Sequence, residues 1–310
     1  MNQQIFVACY HRVVPDHGAP EHHPYFLRGT AVEVETFRQH MLDLRARFDV
    51  IDEGRALAVL EGRVELTRPA CWITFDDAYA GVLEHAVPVM DDLGIPGSMY
   101  VSTAVLDGSS LPVDRWYAAL ISARRRSAAL CIAGSVDLDL ETPASWARLV
   151  DGPEKRKYLR APPDIQASML AALADAFGSA STRPPPGMYL SREDVGHLRR
   201  LGWSIGSHGV SHRLLPELSI AECRQELNAS RRELEQLLGE TPAVCAYPDG
   251  AWNDRIREDV RRAGYRAGLA LEARPAIPGC DTWTVPRFLA QNDPGWAARV
   301  GIDDNACRTG

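Results

Sequence analysis

The sequence predicts an α/β fold of parallel strands joined by right-handed helical crossovers, as a barrel or a doubly wound sheet. Two observations lead there. Short apolar runs alternate with longer stretches of helical periodicity over residues 5–103 and again after residue 190. Two of those runs are also followed at once by metal-type ligands, Asp76-Asp77 and His208 to His212. Active sites of parallel α/β folds gather where strands end.

The elements follow in order. Residues 5–10 (IFVACY) form a short apolar run, the mark of a buried strand. Residues 35–48 read as an amphipathic helix with Phe37, Met41, Leu44 and Phe48 on one face. Residues 70–75 make the next strand and 79–93 the next helix, closed by Gly94; residues 97–101 are strand-like. The rhythm resumes at Ser191, which with Asp194 makes a helix start, and Gly202 follows that helix. Residues 203–207 form a strand. Ser219 with Glu222 makes a second capping box, opening a long helix that ends at Gly239. Residues 243–247 and 266–271 are strand-like around a helix at 254–263, and Val285-Pro286-Arg287-Phe288 reads as a final short strand.

Residues 104–187 break this pattern. They hold helix-like stretches at 114–123 and 164–177 and a strand-like stretch at 135–140, and end in the stiff run Pro184-Pro185-Pro186-Gly187. A stretch this long is no plain loop. The expected organisation is one domain over 1–310 with 104–187 inserted in it, shaping the substrate mouth or covering one side of the barrel.

The chain has 310 residues and a net charge of −7, which argues against a nucleic-acid partner. Arg124-Arg125-Arg126 is too short for a phosphate patch and reads as a solvated helix face. No stretch reaches the ~20 apolar residues of a membrane span. The chain enters an apolar strand after Met1-Asn2-Gln3-Gln4, with no basic segment preceding an apolar one. Its seven cysteines, the last at Cys307, are odd in number and contain no CxxC. Both features lead to the expectation of a cytoplasmic protein with reduced thiols. Cys9, Cys71 and Cys245 lie in strand-like runs as small core residues.

Two carboxylates at one strand end and two imidazoles at another supply two histidines and one aspartate to a divalent metal. The other aspartate is left as a base, a set suited to metal-assisted hydrolysis. Taken alone, Asp77 also suits the N-cap of the helix expected at Tyr79. His208 and His212, spaced i, i+4, share one side of a helical turn, or are two loop histidines. Trp252 either stacks on a ligand ring or packs in the core, and Trp116 and Tyr117 read first as packing residues. His22-His23, between Pro20 and Pro24, reads as a solvated loop or as part of a pocket rim.

Thr74-Phe75-Asp76-Asp77 resembles the T-F-D-D-G signature of the polysaccharide deacetylases, the NodB-homology family or carbohydrate esterase family 4. His208-Gly209-Val210-Ser211-His212 is similar to the H-[S/T]-x-x-H signature of that family, and Ala246-Tyr247-Pro248-Asp249-Gly250 to its third motif. Tyr10-His11-Arg12-Val13 resembles the start of a subgroup that includes poly-N-acetylglucosamine deacetylases. The resemblance covers residues 1–103 and 188–290. It implies a distorted, incomplete (β/α) barrel with a large insertion. It also implies that Asp77, His208 and His212 bind the metal, that Asp76 takes a proton from water the metal activates, and that the Asp249 N–H helps stabilise the oxyanion.

Four departures stand out. Ala78 replaces the glycine after the aspartate pair, and Gly209 replaces the Ser or Thr of the second motif. Ala246 stands where many members carry an arginine that orients the base; Arg287 is either its replacement from another strand or a surface arginine. No histidine follows His212, so the late histidine that serves as acid has no counterpart. His11, at the end of the first strand, is the candidate acid.

The function expected is removal of an acetyl group from an N-acetylated saccharide or related small amide. The cofactor expected is a divalent metal, zinc first, with cobalt, nickel or iron as alternatives. The alternatives are hydrolysis of another C–N bond, in a formamide or cyclic imide, and carbohydrate binding without catalysis. Against the last, all three ligand residues and the base are present.

Overall fold

The computed structural model describes residues 3–16 and 23–300. The chain opens with β1 (Ile5–Tyr10), β2 (Arg12–Val14), α1 (Pro24–Arg28), β3 (Ala31–Glu33), α2 (Val34–Arg47), β4 (Asp49–Val50) and α3 (Glu53–Leu60). It continues through β5 (Ala70–Asp76), α4 (Val87–Leu93) and β6 (Ser98–Val101). Then follow α5 (Pro112–Ile121), the hairpin β7 (Ser127–Cys131) and β8 (Ser135–Asp139), α6 (Pro143–Asp151), α7 (Pro153–Arg160) and α8 (Pro163–Phe177). The last part holds α9 (Arg192–Arg200), β9 (Ser204–Ser207), α10 (Ile220–Leu238), β10 (Val244–Ala246), α11 (Asp254–Arg262), β11 (Ala267–Leu269), β12 (Phe288–Leu289) and α12 (Trp296–Arg299).

The main sheet runs β11-β10-β9-β6-β5-β1-β12, with β4 also paired to β5, and every pairing is parallel. One segment reaches both of its edges: Val285 bridges Leu269 of β11, and Phe288 pairs with Ala8 of β1. The sheet is therefore a curled, imperfect barrel, completed by five residues rather than a full strand.

Strand alternation sorts its side chains. Phe6, Ala8 and Tyr10 of β1, with Cys71, Ile73 and Phe75 of β5, pack outward against the helices. Ile5, Val7 and Trp72 pack inward with Tyr100, Val244 and Leu269. Thr74 and Asp76 share the inner face with Trp72, so the strand period itself aims Asp76 into the barrel. Gly206 lets β9 come close here: a Cβ on it would lie 2.5 Å from the Tyr100 ring and 2.7 Å from the Val244 carbonyl oxygen.

Several expectations shift. The helix expected at 79–93 begins with a π-turn at Val82–Ala86 before α4. Pro88 has no N–H to donate back to Glu84, so the regular ladder cannot run through it. The final strand expected at 285–288 is β12 at Phe288–Leu289. Val285 instead donates to Gly268 and accepts from Ala270, and Pro286 has no donor for a ladder. Arg124-Arg125-Arg126 is exposed but lies beyond the end of α5, where Arg125 bonds the Asp175 and Ala176 carbonyls. Both capping boxes form, at Ser191 with Asp194 and at Ser219 with Glu222.

Between β6 and β9 the chain contains α6, α7 and β7 besides the elements expected there. Trp116 and Tyr117 are buried and donate to the Leu149 and Val150 carbonyls, fixing α5 to α6. Cys9, Cys71 and Cys245 are fully buried. Among the described residues no helix is long and apolar enough to cross a membrane. Pro20, His22 and Cys307 lie outside the described residues.

Candidate metal centre and catalytic pocket

β5 delivers Asp76 as its last residue, and the chain then turns sharply. Asp77 and Ala78 take φ values of 74° and 60°, a left-handed pair that only a tightly held turn tolerates without glycine. The pair swings the Asp77 carboxylate to the pocket beside Asp76. Asp77 is therefore not a helix cap.

β9 ends at Ser207, and His208 follows in an irregular loop. The histidine pair is not on a helical turn, as the i, i+4 spacing suggests. His212 sits at φ 56° and Gly209 at φ 76°. Glu226 of α10 takes the place of helical bonding: its carboxylate accepts from the N–H groups of Val210 and Ser211 at 2.8 and 2.9 Å. The Ser211 hydroxyl adds a third bond at 2.6 Å.

The ligand atoms of Asp77, His208 and His212 lie within 4.8 Å of one another. Asp77 Oδ1 is 3.4 Å from His208 Nε2 and 3.3 Å from His212 Nε2. His208 Nδ1 lies 2.8 Å from the Ala246 carbonyl, to which only a protonated nitrogen can donate, so Nε2 keeps its lone pair toward Asp77. Asp77 Oδ1 is buried with no hydrogen-bond partner.

Burial pushes His208 down to about 3 and lowers His212, which keeps both neutral, the form that binds metals. Burial, then the Asp76 charge, pushes Asp77 well above the usual carboxylate range. Two neutral imidazoles facing an unsatisfied carboxylate lack only a positive charge, so the set fits a divalent cation.

Asp76 has a different environment. Burial alone would raise it, but Arg287 prevails and holds it well below the usual carboxylate range. Arg287 Nη1 and Nη2 donate to Asp76 Oδ1 and Oδ2 at 2.8 and 2.7 Å. The guanidinium also reaches the Ala270 carbonyl and the Thr74 hydroxyl. Arg287 is 1% exposed, so it is not a surface arginine.

His11 lines the same pocket as Asp76, Asp77 and His212. Its Nδ1 is buried without a partner, and burial lowers its pKa to about 4. A ligand-distance cluster of Cys9, His11 and Asp76 also exists, but Arg287 already occupies both oxygens of Asp76. Asp249 stands at φ 54° on the pocket rim, and its carboxylate accepts from Arg28 at 2.7 Å. Trp252 is half-buried, donates to Glu272 and packs against the cluster around Tyr247, so its place is in the core.

Sequence reasoning missed the far wall. Tyr25, Arg28, Tyr79 and Lys155 line the pocket, which measures about 660 Å³ counting its open mouth. Behind them Asp114 is fully buried and accepts hydrogen bonds from Tyr25, Tyr79 and Tyr189. The usable signal was an aspartate one helical turn before Tyr117 on the apolar face of α5.

A family model described as polysaccharide deacetylase matches residues 168–268. A poly-beta-1,6-N-acetyl-D-glucosamine N-deacetylase of Staphylococcus aureus is 26% identical over 113 residues, 34% of this chain and 39% of that protein. A putative polysaccharide deacetylase of Bacillus subtilis, YxkH, is 24% identical over 84 residues, covering 27% of this chain and 30% of its own length. The chain thus spans well under half the length of these curated relatives. The Streptococcus pyogenes deacetylase PplD, solved with acetate, superposes with a TM-score of 0.64 over 96% of this chain and 97% of that one, at 14% identity. IcaB from Ammonifex degensii gives 0.60 over 96% and 97%, at 17% identity. The matched family model and the named relatives thus make the chain similar to polysaccharide deacetylases over part of its length, on the fold that these solved structures share.

Proposed function

We propose that this protein is a metal-dependent amidohydrolase that removes the acetyl group from an N-acetylated sugar or a small molecule containing one. The observation that carries the reading is the contrast between neighbouring carboxylates. Asp77 Oδ1 is buried without a hydrogen-bond partner against two imidazole nitrogens, whereas Asp76 is held ionised by a two-point arginine contact. The first arrangement fits a ligand and the second a base.

Asp77, His208 and His212 would hold the cation, with zinc favoured by two nitrogens and one oxygen. When bound, the cation would acidify a water and polarise the amide carbonyl. Asp76 accepts the proton from the attacking water, oriented by Arg287. The Asp249 N–H is assigned the stabilisation of the developing oxyanion, since the residue lines the pocket. His11, beside Asp76, would relay the proton that Asp76 has taken up to the departing amine as the C–N bond breaks. Residues 104–187 shape the substrate mouth, since Val113, Tyr117, Lys155 and Leu159 from that stretch line the pocket.

Asp76→Asn tests the assignment. The variant should keep its metal and release no measurable acetate from N-acetylated sugars that the native protein hydrolyses. Retention of most of the activity would remove Asp76 from the role of base.

A further inference from the structure

A second hollow lies on the other side of the His212 loop. Arg115, Arg183 and Arg213 line it, and none of the described residues that line it is a carboxylate. That imbalance is notable in a chain of net charge −7. Ser109, Ser110 and Ser211 add hydroxyl-bearing side chains to the same wall.

Two of the three arginines are not spent on pairing with a carboxylate among the described residues. Arg213 is held by Glu222 at 2.9 Å. Arg115 and Arg183 pair with no carboxylate among the described residues, and the Arg115 Nε is buried without a hydrogen-bond partner. A buried guanidinium N–H with no acceptor is unfavourable, and an oxyanion is the acceptor whose geometry matches it. Glu222 remains on Arg213, and Glu226 remains on Ser211. Neither carboxylate lines the hollow.

Its place beside the pocket gives the hollow meaning. Ser211 and Arg213 line it while His212, between them, lines the catalytic pocket. Pro112 and Val113 divide in the same way at the start of α5. The backbone holds this partition rigid: the N–H groups of Thr103 and Ala104 donate to the Gly209 and Val210 carbonyls at 3.1 and 2.9 Å.

We propose that this hollow is an oxyanion subsite that binds phosphate, and that its ligand is a phosphate group carried by the substrate next to its N-acylated sugar. The substrate part rests on the function proposed above; the arginine site stands without it.

Two measurements separate them. The first titrates inorganic phosphate into the native protein, the Arg115→Gln/Arg183→Gln variant and, as a control, Arg38→Gln, whose exposed side chain pairs with Asp92. The double variant should bind phosphate at least tenfold more weakly, with Arg38→Gln unchanged. Exposed Arg183→Gln alone should show part of the loss, should the double variant fold poorly. Equal affinity in all four proteins, or no binding by the native one, overturns the site.

The second compares acetate release from N-acetylglucosamine and N-acetylglucosamine 1-phosphate. The native enzyme should show a KM at least tenfold lower for the phosphorylated sugar. The double variant should lose that preference and keep its kcat on the neutral one. Arginine-dependent phosphate binding without any preference overturns the substrate assignment and leaves free phosphate as the ligand. Arginine-dependent binding with no acetate from either sugar sinks the proposed function and upholds the site.

Discussion

Arg287 grips both carboxylate oxygens of Asp76 from 211 residues away in the chain, with both partners buried. The cation beside Asp76 comes from the segment 285–289 that touches both edges of the sheet. Removing one member of a buried pair leaves the other uncompensated, which costs about 3–5 kcal/mol. Arg287→Ala should therefore lower stability by about that amount in denaturant unfolding, and should cut turnover by roughly a hundredfold or more. Arg287→Lys should recover part of the stability but little of the turnover, because a single ammonium cannot hold two oxygens. An alanine variant with near-native kcat would remove Arg287 from the catalytic set.

The three-residue cluster predicts one metal per chain. Asp77→Ala, His208→Ala and His212→Ala should each lose it, by elemental analysis of the purified protein. Chelation should lower the Tm of the native protein, and zinc in hundredfold excess over its Kd should return about 2.7 kcal/mol. A Tm indifferent to chelator and zinc would rule the centre out.

Glu53 gives a pH dependence away from the pocket. It is buried in the first turn of α3 and accepts a 2.8 Å bond from the Tyr100 hydroxyl. Burial raises its pKa from 4.5 to about 7, against the opposing effects of that bond and of Arg266. The folded state then holds a proton that the unfolded chain releases. Its contribution, on the order of 3 kcal/mol, is full below about pH 4.5 and lost as the pH rises toward about 7. Glu53→Gln should flatten that slope in urea unfolding measured at about pH 5 and about pH 7.5. An unchanged slope would mean that Glu53 titrates normally.

Asp114 ties the wall of the pocket together. Asp114→Ala would leave the Tyr25, Tyr79 and Tyr189 hydroxyls without their acceptor, at about 1–3 kcal/mol for each that stays buried. The expected result is a loss of at least about 3 kcal/mol, and a raised KM because Tyr25 and Tyr79 line the pocket. An unaltered KM in a folded variant would confine Asp114 to stability.

Much of this was legible because parallel sheets write themselves plainly. β1, β5 and β6 are uniformly buried and mostly apolar strands, and the capping boxes at Ser191 and Ser219 form as their spacing suggests. Asp76 ends such a strand, Asp77 and His208 directly follow one, and His212 comes from the short loop after His208. What stayed hidden depends on tertiary contact. The i, i+4 histidines looked helical until Glu226, from another element, took up the loop's N–H groups. β12 and β4 are two residues each, too short to carry a period. The Asp114 cluster draws its tyrosines from three separate segments, a convergence that no local pattern encodes.

The closing of the sheet by residues 285–289 sets an order of events during biosynthesis. Asp76 leaves the ribosome in the first third of the chain, whereas its counter-charge emerges more than two hundred residues later. Until then β1 has an open edge and Asp76 has no cation to fold around. Parallel pairings at such long sequence separation are slow to form. The Asp76–Arg287 pair should therefore be completed in the last stage of folding, so a chain halted before Arg287 would expose a raw strand edge for aggregation and chaperone capture.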